Sequence, residues 1–284
     1  MISLIICSRI PHINKELSDN IQATIGTIPY EIIWLDNSNN QYSIFQAYKE
    51  GTEKAKYNIL CFMHEDILFH TQGWGKLVIN HLQDSDVGLL GVMGTHYLDA
   101  YSLYYHSSGI CRGKIIQGYY QQGKYKTKID ERYKFAEFGN NVVAIDGLWM
   151  ASKKELFING ILFWDIDTFD GFHLYDMDIS LQTITKGKKI KIADNILIEH
   201  KSGGGMTQEF FQNCLKFHRK WNSYLPVYTP LTSKEAINTH YLNYIESQKH
   251  TQQLLDNYKA MINKLPYRIL TRILLAINYK IWRE

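Results

Sequence analysis

Two adjacent carboxylates, Glu65 and Asp66, stand at the end of an almost wholly apolar run from Asn58 to Met63. His64 precedes them, and Ile67, Leu68 and Phe69 follow at once. A carboxylate at the end of a buried segment needs hydrogen-bond donors, a cation or a metal, because an unpaired buried charge is costly. Three further groups have similar chemistry. Asp36 closes the run YEIIWLD, Asp176 and Asp178 sit in YDMDIS, and His200 precedes KSGGG. Carboxylates and imidazoles are ligands for divalent cations, and a carboxylate is also a general base. Each group has an ordinary reading too. Asp36 opens the turn-forming stretch DNSNN. Asp176 and Asp178 suit a helix cap and oppose its dipole. His200 alone serves as a structural histidine, and Gly203 to Gly205 as a flexible linker. What favours a site is the joint order, each group following a strand or opening a helix.

The elements that must position these residues alternate along the first hundred positions. SLIICSRI, YEIIWLDNS, YNILCFMHED and VGLLGVMG read as strands. Residues 13–25, QYSIFQAYKEGTEKA and GWGKLVINHLQD read as helices. Near-continuous apolar strands separated by helices indicate a parallel sheet covered on both faces. Ligands of such sheets bind beyond the carboxyl ends of the strands, where Asp36 and Glu65-Asp66 stand. Residues 97–140, rich in Tyr, Gly, Gln and Lys, read as an irregular or hairpin insertion. Order resumes in NNVVAIDGLWMASKKELF as a strand, a turn at Asp146-Gly147 and a helix begun near Ser152. A helix from about Asp176 ends at Gly187, a left-handed cap. A strand then finishes at His200, and KSGGGMTQEFF leads into another helix. After WNSYLPVYTP, residues 232–284 read as helical. The expected division is a domain over 1–230 and a helical extension over 231–284.

Composition narrows the classes. The chain has 284 residues, 45% hydrophobic and 21% charged, enough for a sizeable core, and a net charge of +3 that does not argue for nucleic acid. Its 20 tyrosines suit surfaces that stack on rings and hydrogen-bond hydroxyls, although most serve ordinary packing. The start, MISLIICSRIPH, reads as a first strand rather than a leader, and no apolar run is long enough for a membrane helix. Cys7, Cys61, Cys111 and Cys214 lack metal-like spacing and read as free thiols of a cytoplasmic protein.

In their order, the motifs ICSR, HEDI, DGLWM, FHLYDMDISLQ and H-x-S-G-G resemble the inverting glycosyltransferases of family 2, and within them a bacterial glycosyltransferase-like branch. The resemblance covers about residues 2 to 226. It implies a GT-A fold, that is, an α/β mixed sheet flanked by helices, here with a C-terminal helical tail. It implies a nucleotide-sugar donor such as a UDP-sugar, a divalent metal (Mn2+ or Mg2+), and a glycan or lipid-linked acceptor. The family normally carries Asp-x-Asp where this chain has His64-Glu65-Asp66. Asp66 matches the metal-binding aspartate, and His64 replaces the residue that touches the donor ribose or sugar. His200 matches a further metal ligand. Ser8, Arg9, Asp36 and Glu65 fall on the nucleotide side, and Lys201 would add positive potential at the diphosphate. Asp176 matches the base, with Tyr175 in place of the usual glutamate, and Asp178 is the alternative acid. Asp146, Gly147 and Trp149 would line the acceptor side, with a core position as the alternative for Trp149.

Two other classes stay open at this level. A metal-dependent phosphohydrolase could use the same acids, and a non-catalytic carbohydrate-binding or scaffold relative could keep the fold alone. The tail NKLPYRILTRILLAINYKIWRE, written as a helix, gathers Ile269, Ile273, Leu274 and Ile277 on one side with basic residues around it. Such a helix packs on protein, forms a homodimer, or lies on an anionic membrane at the inner face.

Overall fold

The computed structural model describes residues 1–100, 102, 110–132, 139–202 and 208–229, together with helical positions 238, 249, 253 and 256. Strand β1 (Ile2–Ser8) leads through α1 (Lys15–Thr24) to β2 (Tyr30–Asp36), and α2 (Ile44–Lys54) leads to β3 (Ile59–Met63). Next come β4 (Ile67–Phe69), α3 (Trp74–Leu82), β5 (Val87–Gly91), β6 (Met93–Thr95) and β7 (Tyr97–Leu98). A long hairpin of β8 (Cys111–Gln121) and β9 (Lys124–Arg132) precedes β10 (Asn141–Val142), β11 (Ala144–Ile145) and β12 (Trp149–Lys153). The order ends with α4 (Lys154–Ile158), α5 (Tyr175–Thr185), β13 (Lys189–Ile192), β14 (Ile198–His200), α6 (Gln208–Trp221) and β15 (Val227–Tyr228). The chain divides into two compact units, Met1–Ala236 and Ile237–Glu284. Gly203 to Gly205 and the tail from Asn263 onward lie outside the described residues.

The main sheet has seven strands in the order β10-β13-β5-β12-β3-β1-β2. Its β2-β1-β3 core is parallel, as the alternating pattern predicts. The sheet as a whole is mixed, because β12 inserts antiparallel between β3 and β5. Ile2, Leu4, Ile5 and Ile6 are all fully buried, the mark of a strand covered on both faces. Ser43 and Gln46 form a reciprocal capping box that fixes the start of α2, and Asn14 caps α1.

The expected third strand ends sooner than its sequence suggests and is followed by a short strand not expected, and the expected fourth strand is two strands. β3 stops at Met63, the chain turns through His64 to Asp66, and β4 joins a second sheet of order β11-β6-β8-β14-β4. Val92 likewise separates β5, in the first sheet, from β6, in the second. The expected single strand ending at His200 is also divided, with β13 in the first sheet and β14 in the second. An apolar run shows that a segment is buried but not which sheet it joins. The helix expected near Ser152 begins at Lys154, because Ser152 is still in β12, with its hydroxyl donating to the Gly88 carbonyl. The insertion contains the β8–β9 hairpin.

Candidate active site

The end of β3 at Met63 and the passage into β4 place His64, Glu65 and Asp66 in the corner between the two sheets. β14 pairs antiparallel with β4, with His200 opposite Ile67, so the imidazole arrives beside Asp66. His200 Nε2 lies 3.6 Å from Asp66 Oδ1 and 3.4 Å from His64 Nδ1, and His64 Nδ1 is 4.0 Å from the same carboxylate oxygen. One ligand atom from each of the three residues lies within 4.8 Å of the others. Two imidazole nitrogens and a carboxylate oxygen, gathered this closely, fit a divalent cation. His64, expected on the donor sugar, stands in this ligand group as well.

The electrostatics suit that arrangement. Burial, and then His200, hold the His64 pKa below its ordinary value, which favours the neutral ring, the form that ligates a metal. Burial opposes ionisation of Asp66. His200, the Ser202 hydroxyl and His64 outweigh it and hold the carboxyl below the usual carboxylate range. Ser202 donates to Asp66 Oδ2, and the Lys201 backbone N–H donates to the Asp66 carbonyl at 2.9 Å. Gln117 of β8 donates to the carbonyls of His200 and Ser202 at 3.3 and 2.9 Å, tying the hairpin to this corner.

Tyr175 joins this group to the acids of α5. Its hydroxyl lies 2.7 Å from His64 Nε2. Leu174 takes a left-handed φ of 67° at the N-terminus of α5, a strained conformation for a leucine that turns the chain sharply before Tyr175 and Asp176. Gly147 makes room for the ring, since a Cβ there would meet the Tyr175 hydroxyl at 2.3 Å. Asp176 Oδ2 accepts from the Gly147 N–H at 3.1 Å, and Oδ1 from the Met177 N–H at 2.9 Å. Burial, and then the Asp146 charge, push its pKa up to about 7. A carboxylate poised there accepts a proton at neutral pH. Asp146 Oδ1 is held by the Leu148 N–H at 2.9 Å, so Asp146, Gly147 and Asp176 meet at one point.

Ser8, Arg9, Asp36 and Glu65 line the neighbouring strand ends. Ser8 and Asp36 are register partners across β1 and β2. Glu65 accepts from the Ser8 hydroxyl, from the Arg9 N–H at 3.2 Å and from Arg9 Nε at 3.2 Å, so its carboxylate turns back to the first strand and away from His200. The half-buried Asp36 accepts from the Ser38 N–H at 2.9 Å, which lowers its pKa.

Three sequence expectations need correction. Asp178 is buried and held by Lys220 Nζ at 2.8 Å, Trp221 Nε1 at 2.7 Å and Gln182 Nε2 at 2.7 Å, so it anchors helices and has no open oxygen for an acceptor. Trp149 is fully buried, edge-on to Phe69, and offers no face to a sugar, because β12 is an interior strand. The Lys201 ammonium is paired with Glu16 Oε2 at 2.5 Å, which offsets the potential it would lend a diphosphate. Sequence reasoning gave Ser202 and Gln117 no part in the site. Ser202 stands within the KSGGG motif, but nothing local marks Gln117.

Residues 3–221 match the profile of the family described as "Glycosyltransferase like family". No curated protein matches the chain. Among solved structures, the chain aligns with GalNAc-T7, crystallised with UDP, GalNAc and Mn2+, at a TM-score of 0.50 and 10% identity. That alignment covers 78% of this chain and 49% of the other, so this chain spans about half of its length. A second alignment, with A197 from STIV, has a TM-score of 0.38 and 13% identity over 73% of this chain and 86% of the other. At these identities the likeness to GalNAc-T7 concerns the fold.

Proposed function

Because the chain belongs to the glycosyltransferase-like family and has a mixed α/β fold of the GT-A kind, we propose that it transfers a sugar, with inversion, from a nucleoside-diphosphate donor to a hydroxyl of a glycan or lipid-linked acceptor. UDP is the nucleotide we favour, on the analogy of the UDP-bound structure of similar fold. The observation that carries this reading is the meeting of His64, Asp66 and His200 at one corner, with Asp176 joined to them through Tyr175.

His64, Asp66 and His200 would hold the cation, which when bound neutralises the diphosphate as it leaves. Asp66 is kept ionised by His200 and Ser202, and His64 is kept neutral, so both are in ligating form before the donor arrives. Ser8, Arg9 and Asp36 lie at the carboxyl ends of β1 and β2, where the nucleoside would rest. Asp176 would take the proton from the acceptor hydroxyl. The freed oxygen attacks the anomeric carbon from the face opposite the diphosphate, a new glycosidic C–O bond forms, and the bond to the diphosphate oxygen breaks with its electron pair. Asp146 and Gly147 border the carboxylate that accepts the proton.

Thermal shift with a panel of nucleotides, each with and without Mn2+, tests the reading. Stabilisation by a nucleoside diphosphate that depends on metal is expected, and no response to any nucleotide would sink it. A donor screen by mass spectrometry then separates transfer from hydrolysis, since a phosphohydrolase consumes donor equally well without acceptor.

A further inference from the structure

The β8–β9 hairpin has two unlike faces. Residues paired across neighbouring strands point to the same side of a sheet, so the register sorts its side chains. His200 is opposite Gln117, and Gln117 is opposite Lys128. Lys126 is opposite Tyr119, and Lys124 is opposite Gln121. All of these share the side of the sheet on which His200 meets Asp66. Lys126 Nζ donates to Gln121 Oε1 at 2.7 Å, the diagonal contact that this sorting requires. The opposite face is the anchor: the Tyr125 hydroxyl donates to Glu199 at 2.6 Å, and Glu199 also meets His70 at 2.8 Å.

Lys124, Lys126 and Lys128 are exposed, and none has a carboxylate partner among the described residues. Many other surface lysines pair, Lys15 with Asp19, Lys49 with Glu53, Lys54 with Glu50 and Lys189 with Asp86, and those without a carboxylate partner among the described residues, such as Lys76 and Lys186, do not stand in a row. Lys128 stands two strand spacings from His200, about 10 Å between backbones, and each further lysine is about 7 Å along the strand towards the hairpin tip. The result is a row of three uncompensated cations leading away from the metal corner, with the ring of Tyr119 beside it. Lysines on an edge strand also oppose aggregation. That role is indifferent to which face carries them, whereas here all three share the face of His200.

We propose that this face of the hairpin, with Lys124, Lys126, Lys128 and Tyr119, holds the acceptor, and that the acceptor is an acidic glycan bearing carboxylate or phosphate groups. The proposal rests on the transferase reading above. Ammonium groups spaced along a rigid ribbon match anionic groups repeated along a chain, and tyrosine stacks on sugar rings.

Binding of a fluorescently labelled oligogalacturonate to the full chain, read by anisotropy, tests it, with labelled maltoheptaose as the neutral counterpart. The acidic oligosaccharide is expected to bind, more weakly as salt rises, and the neutral one not to bind. The Lys124→Glu/Lys126→Glu/Lys128→Glu variant should weaken acidic binding by about tenfold or more, as three exposed charge contacts allow. The glutamine triple variant should lose less. The same number of reversals at Lys15, Lys49 and Lys54 should change little. Equal binding by wild type and the hairpin variant, or equal binding of maltoheptaose, overturns the proposal. So does equally tight, equally hairpin-dependent binding of poly(U) or anionic vesicles, which would mean a general polyanion surface. Thermal shift with UDP and Mn2+ on the same samples keeps the two readings apart. A retained UDP response in a hairpin variant with unchanged glycan binding sinks this proposal alone, and an absent UDP response in wild type sinks the transferase reading.

Discussion

On the proposed reading Asp66 holds the metal and Asp176 is the base, and their substitutions should then fail differently. Asp66→Asn removes the charge shared by His64, His200 and Ser202. It is expected to abolish the metal-dependent part of the UDP thermal shift and to lower turnover by orders of magnitude; unchanged activity in excess Mn2+ would remove Asp66 from the site. Asp176→Asn should abolish transfer yet leave UDP binding intact, because the base acts on the acceptor. Its pKa of about 7 gives this a pH signature. The ionised form takes the proton, so kcat/KM should fall as pH drops through about 7. Asp146→Asn keeps a side-chain oxygen for the Leu148 N–H but removes the like charge, so the acid limb should move to lower pH. For stability the sign is reversed. A carboxyl raised from 3.8 to about 7 binds its proton more tightly when folded, so its contribution to stability is lost as pH rises between those values.

At the scale of elements, the position of α5 depends on α6. Lys220 of α6 bridges Asp165 at 2.6 Å and Asp178 at 2.8 Å, and its ammonium lies 5.1–5.4 Å from the ring centroids of Phe163, Phe169 and Trp221. Further along the same helix, Glu209 accepts from the Phe172 N–H and Asn213 donates to the Asp170 carbonyl. The segment before the strained Leu174 is therefore held from one side by a single helix. Lys220→Met leaves two buried carboxylates without their cation and should cost about 3 kcal/mol in urea unfolding. Asp178→Asn keeps an acceptor oxygen for Trp221, turns a donor towards Gln182 Nε2 and leaves Lys220 paired with Asp165, so it should cost less than Lys220→Met, with turnover per folded molecule largely preserved. Loss of turnover with stability unchanged would instead make Asp178 the base.

At the scale of the whole molecule, the unit Met1–Ala236 carries every residue of the candidate site. Among the described residues, no helix is long and apolar enough to cross a membrane. The sequence of the tail from Asn263, basic with an apolar stripe, raises the question of a membrane surface. If it docks there, the full chain should sediment with anionic liposomes, increasingly at low salt, and a chain ending near Asn263 should not. Equal behaviour of the two would make the tail a packing element.

The sequence by itself determined the parallel core of β1, β2 and β3 and the place of the acids at their ends. It did so because apolar runs and the alternation of strand and helix patterns are local in their physics, as are the caps at Asn14 and Ser43 that the structure adds. It also placed Asp176 at the start of its helix, since an acidic first turn and the closing Gly187 are legible in a few residues. Only the tertiary structure decided where β3, β5 and β13 end and β4, β6 and β14 change sheets, because burial leaves the same apolar pattern in either sheet. It likewise decided that His64 joins His200 and that Tyr175 reaches His64 across 111 positions. It turned Asp178 from a candidate base into an anchor, and Trp149 from a candidate platform into core. Hydrogen bonds and ion pairs between side chains are set by which strands become neighbours, and nothing in the local sequence around either partner encodes that.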